Sequence, residues 1–303
     1  MPAKTTVLAL ILIAAPMGSL TSAAQRPADD LFLRGLVLKR VREYCRRLER
    51  AALDFVCYEE ISETLDTSRE SQKAAVRIDP RMTSGVGGVG RMGLSGRPFT
   101  FEPSTPRKGD HRYLIDYQFV RKEGRVEEKR ILLEEDGKKV RRKESPAQMS
   151  VFSCSDMLLM PVKLLDEKVE EFYSYRILRE DDLAGTKVWI LDISPRLSID
   201  GYLGGQLWIS QADFQVLKIE WDPTTFGRYE AIRQNAARYQ GSAAVTSFTE
   251  FGVEKNGLRF PSRDETEEAY LNAAGEKFVR SRTQVTFTNY RFFTVETETT
   301  FKR

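Results

Sequence analysis

Apolar residues recur every three or four positions through Leu33, Val37, Val41, Tyr44, Leu48, Ala52 and Phe55. That period gathers them on one stripe of a helix. Arg34, Lys39, Arg40, Arg42, Arg46, Arg47 and Arg50 mostly occupy the remaining faces. Asp29 or Asp30 is placed to cap its N-terminus, and residues 25–30 read as a short flexible lead. The simplest reading of this basic helix is a solvated face above a sheet. Its functional alternative is a transient contact with anionic lipid.

Beyond Phe55 the period falls toward two. Val56, Tyr58, Ile61 and Leu65 predict an irregular strand, and residues 74–78 a second one. A meander follows, with runs at His111–Val120 and Arg125–Leu133, then Lys138–Arg142 after the tight turn Asp136-Gly137. Residues 144–166 interrupt it, where Met157–Pro161 and Leu164-Leu165 predict short helical pieces apolar enough to cover something. Strands then resume at Phe172–Leu178, Lys187–Ile193, Gln206–Ser210 and Gln215–Trp221. In the last of these Leu217, Ile219 and Trp221 alternate with Lys218, Glu220 and Asp222, the signature of a half-buried strand. Residues 242–254 pair with 258–270 across Asn256-Gly257, the strongest hairpin signal in the chain. Gly275 turns back into 276–288, and 292–301 closes the series.

About ten strands with turn-sized gaps and one long helix predict a mainly β (α+β) fold, without a βαβ rhythm. The expected architecture is a large curved antiparallel sheet or incomplete β-barrel. Its N-terminal helix lies on the concave side, beside short covering helices.

The first 24 residues stand apart. Lys4 precedes the apolar run Val7–Ala15, Pro16 and Gly18 break it, and Thr21-Ser22-Ala23-Ala24 offers the small residues of a cleavage site. Residues 1–24 are expected to be a signal peptide cut after Ala24, with Ala23 the near alternative. Residues 25–303 then form a single exported, soluble domain, periplasmic in location, with a flexible glycine-rich loop at 82–106.

Charge and chemistry narrow the function. With 47 Lys+Arg against 44 Asp+Glu, the chain lacks the concentrated basic field that nucleic acid requires. Of Cys45, Cys57 and Cys154, the pair Cys45–Cys57 is the most local candidate for a disulfide, and three unpaired buried thiols fit the sequence equally. The one histidine, His111, begins a strand far from any nucleophile motif, and a single histidine supports no multi-histidine zinc site. No catalytic residue, metal or cofactor is expected. Gly88-Val89-Gly90-Arg91-Met92-Gly93 matches a dinucleotide-loop pattern, but Leu94–Pro106 supplies no helix to receive pyrophosphate. Asp192 and Asp222 form a carboxylate pair marked only by their strand-end positions. Apolar cargo remains as a candidate. Trp189, Trp208 and Trp221 fall on successive strands and, with Tyr202, Met157 and Met160, form a tentative cavity lining or simply fill the core.

Between Tyr173 and Trp221 the chain resembles the periplasmic outer-membrane lipoprotein carriers and the lipoprotein-sorting superfamily. The likeness is carried by Leu183-Ala184-Gly185-Thr186-Lys187-Val188-Trp189-Ile190, Pro195-Arg196, Gln206-Leu207-Trp208-Ile209-Ser210, Asp213-Phe214 and Val216-Leu217-Lys218-Ile219-Glu220. Phe287-Thr288-Asn289-Tyr290-Arg291-Phe292-Phe293 adds to it. The resemblance implies an incomplete barrel closed by helices around a cavity for acyl chains, with 144–166 in the lid and the three tryptophans near the inner face. It implies a carrier or chaperone for a lipid, lipoprotein or other amphiphile. A cell-envelope sensor or protein-interaction module on the same scaffold is the alternative, and a carbohydrate hydrolase comes third. The greater length, the glycine loop and the near-neutral charge depart from the compact carriers.

Overall fold

The computed structural model describes residues 25–68, 108–122, 125–141, 157–197 and 202–292. The expected leader, the 82–106 loop, the strand at 74–78 and most of the final run lie outside them. Helix α1 spans Gln25–Ala51. It begins ahead of Asp29 and Asp30, so these lie within its first turns instead of capping it, and residues 25–30 are helical. Val37, Leu38, Val41, Tyr44, Cys45 and Leu48 are buried along one side, as the three-to-four spacing requires. Phe55 leaves the helix and opens strand β1 (Phe55–Asp66).

The strands that follow are β2 (Lys108–Lys122), β3 (Arg125–Glu135), β4 (Lys138–Lys139), β5 (Tyr173–Leu183), β6 (Thr186–Pro195), β7 (Gly205–Ser210) and β8 (Val216–Trp221). After them come β9 (Gly241–Glu250), β10 (Val253–Lys255), β11 (Leu258–Phe260), β12 (Arg263–Asn272) and β13 (Lys277–Phe292). Eleven of these join in one sheet in the order β4-β3-β2-β1-β13-β12-β9-β8-β7-β6-β5, and β10 pairs with β11. The Asn256-Gly257 hairpin forms where predicted. Both residues adopt positive φ (51° and 68°), a backbone that matches the right-handed twist of the flanking strands. Past a short break, the same ladder resumes as β9 on β12, with Glu250 opposite Arg263.

The sheet does not close. It is neither a barrel nor strongly curved, against the curved sheet or incomplete barrel that the sequence suggested. Among the described residues its edges are β4 and β5. The first is two exposed lysines, and the second carries the exposed run Arg179-Glu180-Asp181-Asp182 beside a bulge. Charge and a bulge protect an edge that closure would otherwise have to remove. Helices bury the apolar face instead.

The covering layer consists of α1, a 3-10 turn at Met157–Leu159, helix α2 (Met160–Leu165) and a second 3-10 turn at Glu167–Phe172. Three hydrogen bonds to main-chain carbonyls help to fix α1. Arg34 donates to the Tyr175 carbonyl (3.4 Å), Arg42 Nε to the Leu165 carbonyl (2.8 Å) and Tyr44 Oη to the Arg259 carbonyl (3.0 Å). Helix α3 (Tyr229–Arg238), which the periodicity did not reveal, packs Ile232 and Ala236 against Tyr270, Ala243 and Phe278. Tyr270 alternates in phase with Asp264, Thr266 and Glu268, so α3 covers a more distant part of the same face. Between the two apolar regions runs a buried polar belt in ladder register: Glu63, Thr283, Thr266 and Ser247.

Candidate functional site

Strand alternation decides which predicted residues meet. Trp189 pairs with Ile209, and Trp221 with Gly205. Both indoles face the helical layer and are buried in the main core. Trp208 pairs with Ile190 on one side and Lys218 on the other. It therefore points to the opposite face, where it packs with Val188 and Ile190 under the Lys218 ammonium, 4.8 Å from its ring centroid. The three tryptophans do not share one lining. Successive strands carry them, but on the pleat they are not in phase.

On the helix side, Met157 and Met160 are buried in the cover. Met157 Sδ lies 3.3 Å from the Thr249 hydroxyl. That hydroxyl accepts the Trp221 indole N–H at 3.0 Å and donates to Asp264 Oδ1 at 2.7 Å. Met157 and Trp221 are thus brought together around a polar chain inside the apolar layer. Asp264 is fully enclosed, and burial pushes its carboxyl up to about 7, against the opposing hydrogen bond from Thr249 and with help from the negative charge of Glu59. Tyr202 is half-buried farther along, against Phe172 (5.3 Å between centroids) and Tyr173 (5.8 Å). Trp189 meets Phe214 at a tilt, with centroids 5.4 Å apart, and its indole N–H is buried without a hydrogen-bond partner among the described residues.

Thr249 and Asp264 were not legible in the sequence. Arg263–Glu268 is polar at every position, so no alternation marks which side chains turn inward. Glu59 is a similar case. It is buried in β1 and held by Arg130 through two hydrogen bonds of 2.6 and 2.8 Å. The preceding Cys57 and following Ile61 share its inward phase and were the only cue.

Cys45 and Cys57 do not form the disulfide considered above. Both are free and buried. Cys45 lies among Arg42, Arg46 and Glu49 on the helix, whereas Cys57 lies beside Tyr290 and Glu59 on the sheet. Burial raises both thiols, Cys45 to about 12. His111 is exposed at a strand end with Nδ1 3.3 Å from Asp136 Oδ2. Asp192 accepts from the Ser194 hydroxyl (3.0 Å), and Asp222 caps the turn at Pro223–Thr225 through Thr224. Both carboxylates are engaged locally. Among the described residues no group of three or more His, Cys, Asp or Glu side chains is arranged to hold a metal ion.

Outside the core, a groove of about 910 Å³ runs between the solvent side of α1 and the β7–β8 turn. Leu36, Tyr44 and Phe214 give it apolar surface, and Arg40, Arg46, Arg47 and Arg50, against Glu43, Glu49 and Asp213, give it charge. Phe214 sits at φ 60°, a left-handed backbone that side chains other than glycine rarely adopt. A recess of about 290 Å³ lies between α1 and β5, lined in part by Arg34, Arg42, Glu170 and Arg196.

No family model matches the chain, and no curated protein matches it. Solved structures do. The chain is distantly similar in structure to lipoprotein-sorting proteins. A LolA superfamily protein from Nitrosomonas europaea shares 10% identity with a TM-score of 0.36, over 87% of this chain and 94% of its own. An outer-membrane lipoprotein-sorting protein domain from Vibrio parahaemolyticus shares 10% at 0.39, over 86% and 95%. A DUF1329 family protein from Desulfovibrio piger shares 12% at 0.37, over 84% and 92%.

Proposed function

We propose that this chain is an exported, non-catalytic binding protein that carries the acyl chains of a lipid, lipoprotein or other amphiphile between its helical cover and its sheet. The observation that carries the reading is the composition of that seam. Met157, Leu158, Leu159 and Met160, then Leu164 and Leu165 a turn later, supply flexible apolar side chains that are buried in the same core as the aromatic residues of the sheet. Methionine and leucine repack at low cost, so an entering acyl chain displaces side chains without unmaking a ladder. Each square ångström of acyl surface removed from water contributes roughly 25 cal/mol. The Arg42–Leu165 and Tyr175–Leu164 hydrogen bonds, at 2.8 and 2.9 Å, are main-chain clasps on the cover.

Native mass spectrometry of the protein recovered from its own envelope fraction tests this. The expected result is a population heavier by the mass of an acylated molecule, which extraction with organic solvent removes. Recovery of the bare chain only, or with a protein partner and no amphiphile, overturns the proposal.

A further inference from the structure

The solvent face of α1 carries two features that folding leaves unused. Leu31, Phe32 and Leu36 are exposed by 59%, 74% and 37%, three of the four large apolar side chains exposed among the described residues. Along the same helix Lys39, Arg40, Arg46, Arg47 and Arg50 are also exposed. At about 100° per residue, Phe32, Leu36, Lys39, Arg46, Arg47 and Arg50 fall within roughly a third of the helix circumference. The face is about 27 Å long from Phe32 to Arg50. Glu43 lies within this face, and Glu49 and Asp213 line the groove beside it. Arg40 is paired with Glu43 at 3.2 Å and Arg46 with Glu167 at 3.4 Å. Lys39, Arg47 and Arg50 have no acidic partner among the described residues.

We propose that this face of α1 docks on an anionic phospholipid surface, with Phe32 and Leu36 entering the headgroup layer and Lys39, Arg47 and Arg50 meeting lipid phosphates. Charge complementarity selects the occupant. An apolar protein groove would satisfy Phe32 but strand three cations, whereas an anionic bilayer offers hydrocarbon and phosphate side by side. No helix among the described residues is long and apolar enough to cross a membrane. This inference goes beyond the carrier reading, since docking uses the outside of α1 and cargo its inside.

The test is co-sedimentation of the protein, recovered from cells expressing the whole chain, with phosphatidylcholine vesicles containing about 30% phosphatidylglycerol or none. Binding is expected to the anionic vesicles at about 50 mM salt and to be lost near 500 mM, where screening shortens the reach of each charge. Arg47→Glu and Phe32→Ser are each expected to weaken it about tenfold or more. Lys139→Glu, a charge reversal at an exposed position of the edge strand β4, serves as the control and leaves binding unchanged. All three positions are exposed, and matching thermal melts establish that the fold persists. Equal binding to neutral vesicles, no binding to either, or indifference to both α1 substitutions overturns the proposal. A Phe32→Ser chain that still carries amphiphile by mass spectrometry but no longer sediments separates docking from cargo binding.

Discussion

Asp264→Asn tests the reading of the polar chain beneath the helical cover. In the folded protein burial holds the Asp264 carboxyl up to about 7, against an ordinary value of 3.8. Between those two pH values the folded chain keeps a proton that the unfolded chain has released. Stability contributed by this group therefore falls as pH rises from about 4 to about 7, then levels off once both states are ionised. At about 1.36 kcal/mol per tenfold change in proton affinity, the whole window corresponds to ~4 kcal/mol. Asparagine keeps an oxygen to accept the Thr249 hydroxyl but has no proton to lose. It also brings an amide N–H₂ whose burial without a partner costs about 1–3 kcal/mol. The absolute stability of the variant is thus less informative than its pH slope. Urea denaturation of both proteins at pH 4.5, 6 and 7.5, followed by tryptophan fluorescence, gives that slope. The variant is expected to gain on the parent steadily with pH, by up to ~4 kcal/mol across the window. A difference that is flat with pH, or that shrinks as pH rises, refutes the reasoning.

Three further outcomes follow from the same core. Thr249→Val leaves the Trp221 indole N–H and Asp264 without their shared partner and is expected to cost about 2–4 kcal/mol in urea denaturation, while Thr249→Ser restores most of it. Arg130→Met strands Glu59 in the interior. It is expected to destabilise by about 3–5 kcal/mol, and the double variant Glu59→Gln, Arg130→Met by clearly less, as a double-mutant cycle would show. Cys45 and Cys57 are expected to resist thiol reagents in the folded chain at pH 8 and to react in urea, because both are buried with raised thiol values. Mass-mapped labelling of either one in the folded protein contradicts their placement.

Elements with strong local patterns were legible from sequence, and properties set across strands were not. The stripe from Val37 to Leu48 and the Asn256-Gly257 turn each encode their own geometry, so both appear where expected. Helix α3 offers only Ile232 and Ala236 as buried anchors, too few for a period to emerge. Closure of the sheet is not a local property at all. It depends on whether the two edge strands meet, and the charged β4 and β5 do not. The tryptophans show the same limit on a smaller scale. Trp208 is one strand away from Trp189 and Trp221, yet pairing with Ile190 and Lys218 sends it to the far side. Asp264 was hidden by the unbroken polarity of Arg263–Glu268.

The tethers of α1 impose an asymmetric constraint on how this sequence can drift. All three donors, Arg34, Arg42 and Tyr44, are side chains of the helix, and all three acceptors are main-chain carbonyls, at Tyr175, Leu165 and Arg259. Every residue type presents a carbonyl. For these bonds the receiving positions can exchange side chains freely, answering only to packing, whereas each donor must keep its reach and its hydrogen. In diverging copies of this protein, these three bonds would be recorded in α1 alone, whereas the ion pairs of Arg42 with Glu170 and Arg46 with Glu167 would leave matched changes in the cover.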